Sequence, residues 1–173
     1  MMRVEQIVDV RRYPLDSGTR DHVDVAAGHD VVRGFVTRAG LEVLGEECLW
    51  LSTEGEVVES SSDGTDLRHR IVPGSSLGVM SAASTLHDSD EIGHFLGQVG
   101  GTALQRRSAG CALYFVEARD RAVIAPVHPL VVVEGNLADG IGAGDVVLAS
   151  RSMLHIESVT TRTVLLDLGF GPA

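Results

Sequence analysis

The chain has 173 residues, a formal net charge of −10 at pH 7 and 14 basic residues, all of which are arginine. Because lysine is absent, Schiff-base enzymes, pyridoxal-phosphate enzymes and P-loop nucleotide sites are excluded. The acidic balance also argues against nucleic acid and anionic membrane surfaces as partners, since both carry negative charge themselves.

The N-terminal run Met1–Arg12 carries charges throughout. We therefore expect neither a signal peptide nor a membrane span, and we predict a cytoplasmic protein. Cys48 and Cys111 each lie in an apolar run. We interpret both as small buried core residues rather than as a disulfide or reactive thiols.

Short runs rich in Val, Ile, Leu and Thr dominate the chain and predict strands. In the first half these runs are Val4–Tyr13, Cys48–Ser52, Glu56–Ser60 and Leu67–Val72, with hairpin turns predicted at Glu54-Gly55 and Asp63-Gly64. In the second half they are Ala112–Glu117, Arg121–Ala125, Leu130–Glu134, Asp145–Ala149, Leu154–Val159 and Thr163–Leu168. Strands that recur every eight to twelve residues or so are typical of β-sandwiches and barrels.

One segment has helical spacing. Ser89 or Asp90 could cap it, and four apolar residues fall on one face: Ile92, Phe95, Leu96 and Val99. Gly93 and Gly97 weaken the pattern, and Gly100-Gly101 ends it. A short helix and an irregular glycine-rich connection are both compatible with this sequence.

Two stretches, Ile71–Ser84 and Ile141–Met153, repeat a pattern in which a glycine turn leads into a strand. The pattern predicts that the side chains of Leu77 and Val79 face the core in the first copy. In the second copy it predicts the same for Val147 and Ala149. We therefore predict an all-β fold, a duplicated β-sandwich or barrel of short antiparallel strands with at most one short helix between the halves. Residues 1–88 would form the first half, 89–101 the connection and 102–173 the second half of one compact unit.

The second half resembles the AIM24 family, whose fold is like that of the tryptophan RNA-binding attenuation protein. The stretches that carry the resemblance are "GHFLGQVGGTALQRRSAG", "CALYFVEARDRAVIAP" and "GDVVLASRSMLHIES". In the strand-pair turn, where family members often have glycine, this chain has Ala118-Arg119-Asp120. The resemblance implies a duplicated β-sandwich that often self-associates, and it supplies no catalytic residues.

A second resemblance lies at the N-terminus, where "VEQIVDVRRYPLDS" is similar to the opening of MOSC-domain proteins, which are sulfur-handling β-barrels. Asp16 stands where that pattern usually has lysine. Sulfur transfer would require Cys48 or Cys111 to be exposed with a lowered pKa.

The densest group of potential ligands is "HDSDEIGH", in which His87, Asp90 and His94 are candidates for a metal site or a pH-responsive cluster. The alternative is an acidic helix start with solvated histidines. Gly74–Gly78 fits the G-x-S-x-G pattern of a nucleophile elbow, with Ser75 or Ser76 as the nucleophile. Because this motif leads into a strand-like run, we interpret it as a structural turn.

No catalytic constellation is visible, so we predict neither catalytic residues nor a cofactor. The function we expect is a non-enzymatic scaffold or binding protein that forms homo-oligomers through exposed sheet edges or an apolar face. One alternative is a small β-barrel hydrolase or isomerase that uses the His87–His94 cluster or Ser75 and Ser76. The other alternative is a MOSC-like sulfur-transfer domain.

Overall fold

A computed structural model describes residues 2–17, 20–54, 58–61, 68–73, 81–124, 129–148, 154–156 and 161–173. The helices are α1 (Val4–Ile7), α2 (Arg38–Glu54), α3 (Ala82–His87) and α4 (Asp90–Gly100). The first six strands are β1 (Val23–Ala26), β2 (His29–Val32), β3 (Val58–Ser61), β4 (Arg68–Pro73), β5 (Leu104–Arg106) and β6 (Ala112–Val116). The other six are β7 (Ala122–Ile124), β8 (Pro129–Glu134), β9 (Val146–Leu148), β10 (Leu154–Ile156), β11 (Thr163–Asp167) and β12 (Phe170–Pro172).

Sheet structure dominates, as predicted. Eight strands form one antiparallel sheet in the order β1-β2-β9-β8-β11-β6-β4-β3, and two small sheets pair β7 with β10 and β5 with β12. The edges of the large sheet come from the first half of the chain and its centre from the second half. The two halves therefore share one sheet.

The central strands of this sheet are buried on both faces. Along β8, Val131 and Val133 lie in an inner core under the helices, whereas Leu130 and Val132 lie in an outer core on the opposite face. Leu154 and Ile156 of β10 cover the outer core. This two-sided burial explains why β8 is a continuous apolar run rather than an alternating one.

Most predicted strands are confirmed with small shifts at their ends, including β3, β4 and the strands from β6 to β11. Strands β3 and β4 pair antiparallel as the Asp63-Gly64 signal predicts, although the turn itself lies outside the described residues. The first copy of the repeat from position 74 to 80, with Leu77 and Val79, also lies outside them, as does Ala149. Val147 is fully buried, as expected.

The prediction of a strand at Cys48–Ser52 is wrong, because these residues belong to the 17-residue helix α2. Its buried residues Leu44, Cys48 and Leu51 recur at the spacing of one helical face. The run "CLWL" does not show this spacing by itself, because the spacing begins upstream, at Leu44. The hairpin predicted at Glu54-Gly55 therefore lacks its first strand, and Gly55 itself lies outside the described residues. The predicted limit of one short helix is also wrong, since α2, α3 and α4 are all present.

The predicted strand Val4–Tyr13 is also wrong over most of its length, since it opens with the single helical turn α1 and only Val8 forms a bridge, with Val36. None of the helices in the described parts of the chain is long and apolar enough to cross a membrane.

Helix α4 is confirmed, with Ser89 as its N-cap and Gly101 in the left-handed conformation that ends it. The four predicted apolar residues are fully buried. The two internal glycines have a packing role: a Cβ at Gly93 would lie 2.7 Å from the Phe170 ring, and one at Gly97 would lie 2.9 Å from the Thr102 carbonyl oxygen. These glycines allow β12 and the start of β5 to approach the helix closely.

A buried carboxylate ties the β1–β2 hairpin to the loop before β9. Asp145 accepts hydrogen bonds from the backbone N–H groups of Gly34 (2.8 Å) and Gly142 (2.9 Å). It also pairs with the Arg33 guanidinium at 3.3 Å. Arg33 in turn donates to the Gly140 carbonyl at 2.9 Å. These contacts satisfy a group that would otherwise be costly to bury.

We expect His29 to make the free energy of unfolding sensitive to acid. The residue is 5% exposed and pairs across the hairpin with Ala26 of the outer core. Burial lowers its pKa; nearby His155 lowers it further, and Asp30 offsets part of the shift. A histidine that is harder to protonate in the folded state stabilises the fold fully above about pH 6.5, and this contribution is lost as the pH falls below that value.

We therefore expect the free energy of unfolding to fall between pH 7 and pH 5, and His29→Gln to reduce this slope, as measured by urea denaturation at several pH values. Gln98→Asn, which changes an exposed and uncharged side chain, is the control and should leave the slope unchanged. An equal slope in the wild type and His29→Gln would contradict this assignment.

Candidate functional site

The structure gives the three predicted cluster residues different surroundings. His87 ends α3, where its Nδ1 lies 2.8 Å from the Leu168 carbonyl oxygen and its ring packs near Phe170. Because a carbonyl can only accept, Nδ1 carries the proton in this contact. Asp90 begins α4 and pairs with Arg106 at 3.0 Å. His94 lies one turn further on and is exposed.

Asp90 and His94 line the same hollow, but His87 is not among the residues that line it. Within the described parts of the chain, no three His, Cys, Asp or Glu side chains are arranged so that they could hold a metal ion. The structure thus brings together two of the three candidates. Ser75 and Ser76 lie outside the described residues.

Both cysteines are buried free thiols, which confirms their predicted place in the core. Burial is the main cause that raises the pKa of Cys48 to about 12, and nearby Glu47 adds to it. Burial likewise raises the pKa of Cys111 to about 11. Sulfur transfer needs an accessible thiolate, and neither residue meets that requirement.

A groove of about 880 Å³ lies between α1, the segment that follows Val10 and the first turn of α4. Its apolar lining is Val4, Val10, Pro14 and Leu15, and its polar lining is Glu5, Asp16, Asp90, Glu91 and His94. A second hollow of about 770 Å³ lies over β5 on the other side of α4 and shares Asp90 and His94 with the first. The two hollows therefore lie on either side of α4 and meet at Asp90 and His94 on its outward face.

Helix α2 carries a different kind of surface. Leu49 and Trp50 are adjacent on its outward face and are 59% and 55% exposed, respectively. Trp50 is the only tryptophan of the chain. Because successive residues of a helix point about 100° apart, these two side chains flank the exposed Glu46 and Thr53 on the outward face of α2.

Sequence reasoning missed this surface because Cys48–Ser52 was assigned to a strand. The available signal was that Leu49 and Trp50 depart from the helical spacing that Leu44, Cys48 and Leu51 follow. Once α2 is recognised as a helix, that departure places both side chains outside the core.

The edge strand β1 is closed to pairing at one of its own donors, Val25, and at Ala27 in the turn that follows it. The N–H of Val25 is bound by the carboxylate of its neighbour Asp24 at 2.8 Å, and the N–H of Ala27 by Asp139 at 2.8 Å. An edge whose donors are occupied is a poor template for another strand. This edge is thus less suited to self-association than the apolar pair on α2.

No model of a known protein family matches this chain, and no curated protein matches it either. The AIM24 resemblance therefore stays a prediction.

We expect both thiols to be unreactive in the native protein, because each would have to ionise while buried. With a thiol-specific chromogenic disulfide at pH 8, the folded chain should release almost no chromophore, and the urea-unfolded chain should react at both cysteines. A thiol that reacted rapidly in the folded state would contradict the burial of Cys48 and Cys111 and would favour the sulfur-transfer alternative.

Proposed function

We propose that this chain is a non-enzymatic binding or scaffold protein that self-associates through the outward face of α2. The observation that carries the proposal is the exposed pair Leu49 and Trp50. Tryptophan is the residue type most enriched among those that contribute strongly to protein interfaces.

A second copy of the chain is the partner that this surface fits. In a two-fold symmetric dimer, the same patch serves both copies, so the apolar pair of one α2 can cover that of the other. A stable interface needs about 800 Å² from each partner, more than two side chains provide. Neighbouring outward residues on α2, such as Glu46 and Thr53, would join the contact, and we expect the dimer to be weak and reversible.

Charge opposes this association. Each copy carries a net charge of −10, so two copies repel each other at low ionic strength. Salt screens that repulsion over about 10 Å at 0.1 M but leaves the burial of apolar area intact. Self-association should therefore strengthen as salt is added.

We also propose that the large sheet and the β7–β10 pair form a β-sandwich. The β7–β10 pair packs Leu154 and Ile156 against one face of the large sheet, and this supports a sandwich-like arrangement. The resemblance to AIM24 implies self-association, which agrees with an exposed apolar surface. Duplication of the two halves stays a prediction.

The proposal predicts that replacing the apolar pair abolishes association. In sedimentation velocity over a range of concentrations, the average mass of the wild type should rise, whereas Leu49→Ser/Trp50→Ser should stay monomeric or associate about tenfold or more weakly. The emission of Trp50 should also shift to the blue on association, since its ring loses water.

Val25→Ser is the matched control, because Val25 is 69% exposed on β1, away from α2. It should associate like the wild type. Circular dichroism checks that all variants fold. A wild type that is monomeric at every concentration and salt level, or a double variant that associates normally, would refute the proposal.

A further inference from the structure

We propose that the groove between α1 and α4 binds a basic peptide segment in which an apolar residue lies next to arginine or lysine. We call this groove the acidic groove and define it by its floor, Val4, Val10 and Leu15, and its rim, Glu5, Asp16 and Glu91. The inference goes beyond self-association and does not depend on it.

The floor of the acidic groove supplies apolar contact. Val4, Val10 and Leu15 are partly buried and pack against the inner core with one side. Their other side lines the hollow. Apolar side chains that are fixed from below and open above can bury part of a ligand with little loss of their own conformational freedom.

The rim of the groove is acidic and largely without cations of its own. Glu5 has an exposed partner in Arg3 at 3.6 Å. Within the described residues, neither Asp16 nor Glu91 has an ion-pair partner, and none of the chain's 14 arginines is among those that line the groove. Asp90, on the same wall, is already paired with Arg106.

The N-terminus of α4 works against a cation, but only weakly. A helix N-terminus is equivalent to about half a positive charge. Arg106 compensates Asp90, but Glu91 lies in that first turn without an ion-pair partner among the described residues, and together with Asp16 it outweighs the half charge. The net field of the groove therefore favours a cation.

A peptide suits the groove better than a metal ion or a small polyamine. No three ligands converge on one point in the described parts of the chain. A polyamine could neutralise the rim but would leave the floor without an apolar partner. A segment that alternates basic and apolar side chains satisfies both, and the second hollow beyond His94 lets it continue past α4.

The test uses a fluorescein-labelled hexapeptide of alternating leucine and arginine, with fluorescence anisotropy as the readout. We expect binding that weakens with added salt, and about a tenfold loss of affinity at low salt in Asp16→Asn/Glu91→Gln, because two charge contacts are removed. Leu15→Ser should also weaken binding, with circular dichroism as the check on folding.

The matched control is Glu117→Gln/Asp120→Asn, which removes the same two kinds of carboxylate in the segment that follows β6, outside the groove lining. It should bind like the wild type. A similar loss in the control, or no binding by the wild type, would overturn the proposal. So would equal affinity for a peptide with serine in place of leucine, since the floor would then contribute nothing.

The salt dependence distinguishes a failure of the peptide proposal from a failure of the self-association proposal. Peptide binding should weaken with salt, whereas self-association should strengthen. If Asp16→Asn/Glu91→Gln instead changed the sedimenting mass without the peptide, the groove would hold a second copy of this chain, and the peptide assignment would be wrong.

Discussion

The central strands of the large sheet are apolar on both faces, and the fold depends on covering both. Val131 and Val133 of β8 face the helices, while Leu130 and Val132 face β10. A strand with this composition cannot leave either face in water without a large loss of hydrophobic stabilisation. The helices α2 and α4 on one side and the β7–β10 pair on the other therefore follow from the same requirement.

Covering the inner core fixes which helix surfaces remain outside. Helix α2 turns Leu44, Cys48 and Leu51 inward and leaves Leu49 and Trp50 in solvent. Helix α4 buries its apolar face and leaves a polar one, which forms one wall of the acidic groove. The two proposed interaction surfaces thus lie on different helices and differ in chemistry, one apolar and one charged.

Elements whose residue pattern is visible within a short run of sequence could be predicted. The strands β6, β8 and β11 were predictable, because each is a short apolar run between turn residues. For α4 the sequence left a helix and an irregular connection open, because Gly93 and Gly97 weaken its helical spacing. Helix α2 was not predictable, since "CLWL" alone resembles a strand and its helical spacing starts earlier. The acidic groove could not be predicted, because Asp16 and Glu91 are far apart in sequence and only the tertiary fold places both along one hollow. His87 and His94 are close in sequence, but they belong to different helices, and His87 contacts the Leu168 carbonyl instead of lining the groove.

The measurement that tests the functional account most directly is hydrogen–deuterium exchange at low and high protein concentration. If α2 is the contact between copies, amides in the part of α2 around Leu49 and Trp50 should become more protected at high concentration, while those of β1 should not change. Protection that appears on β1, or no dependence on concentration anywhere in the chain, would contradict the claim that α2 is the contact between copies.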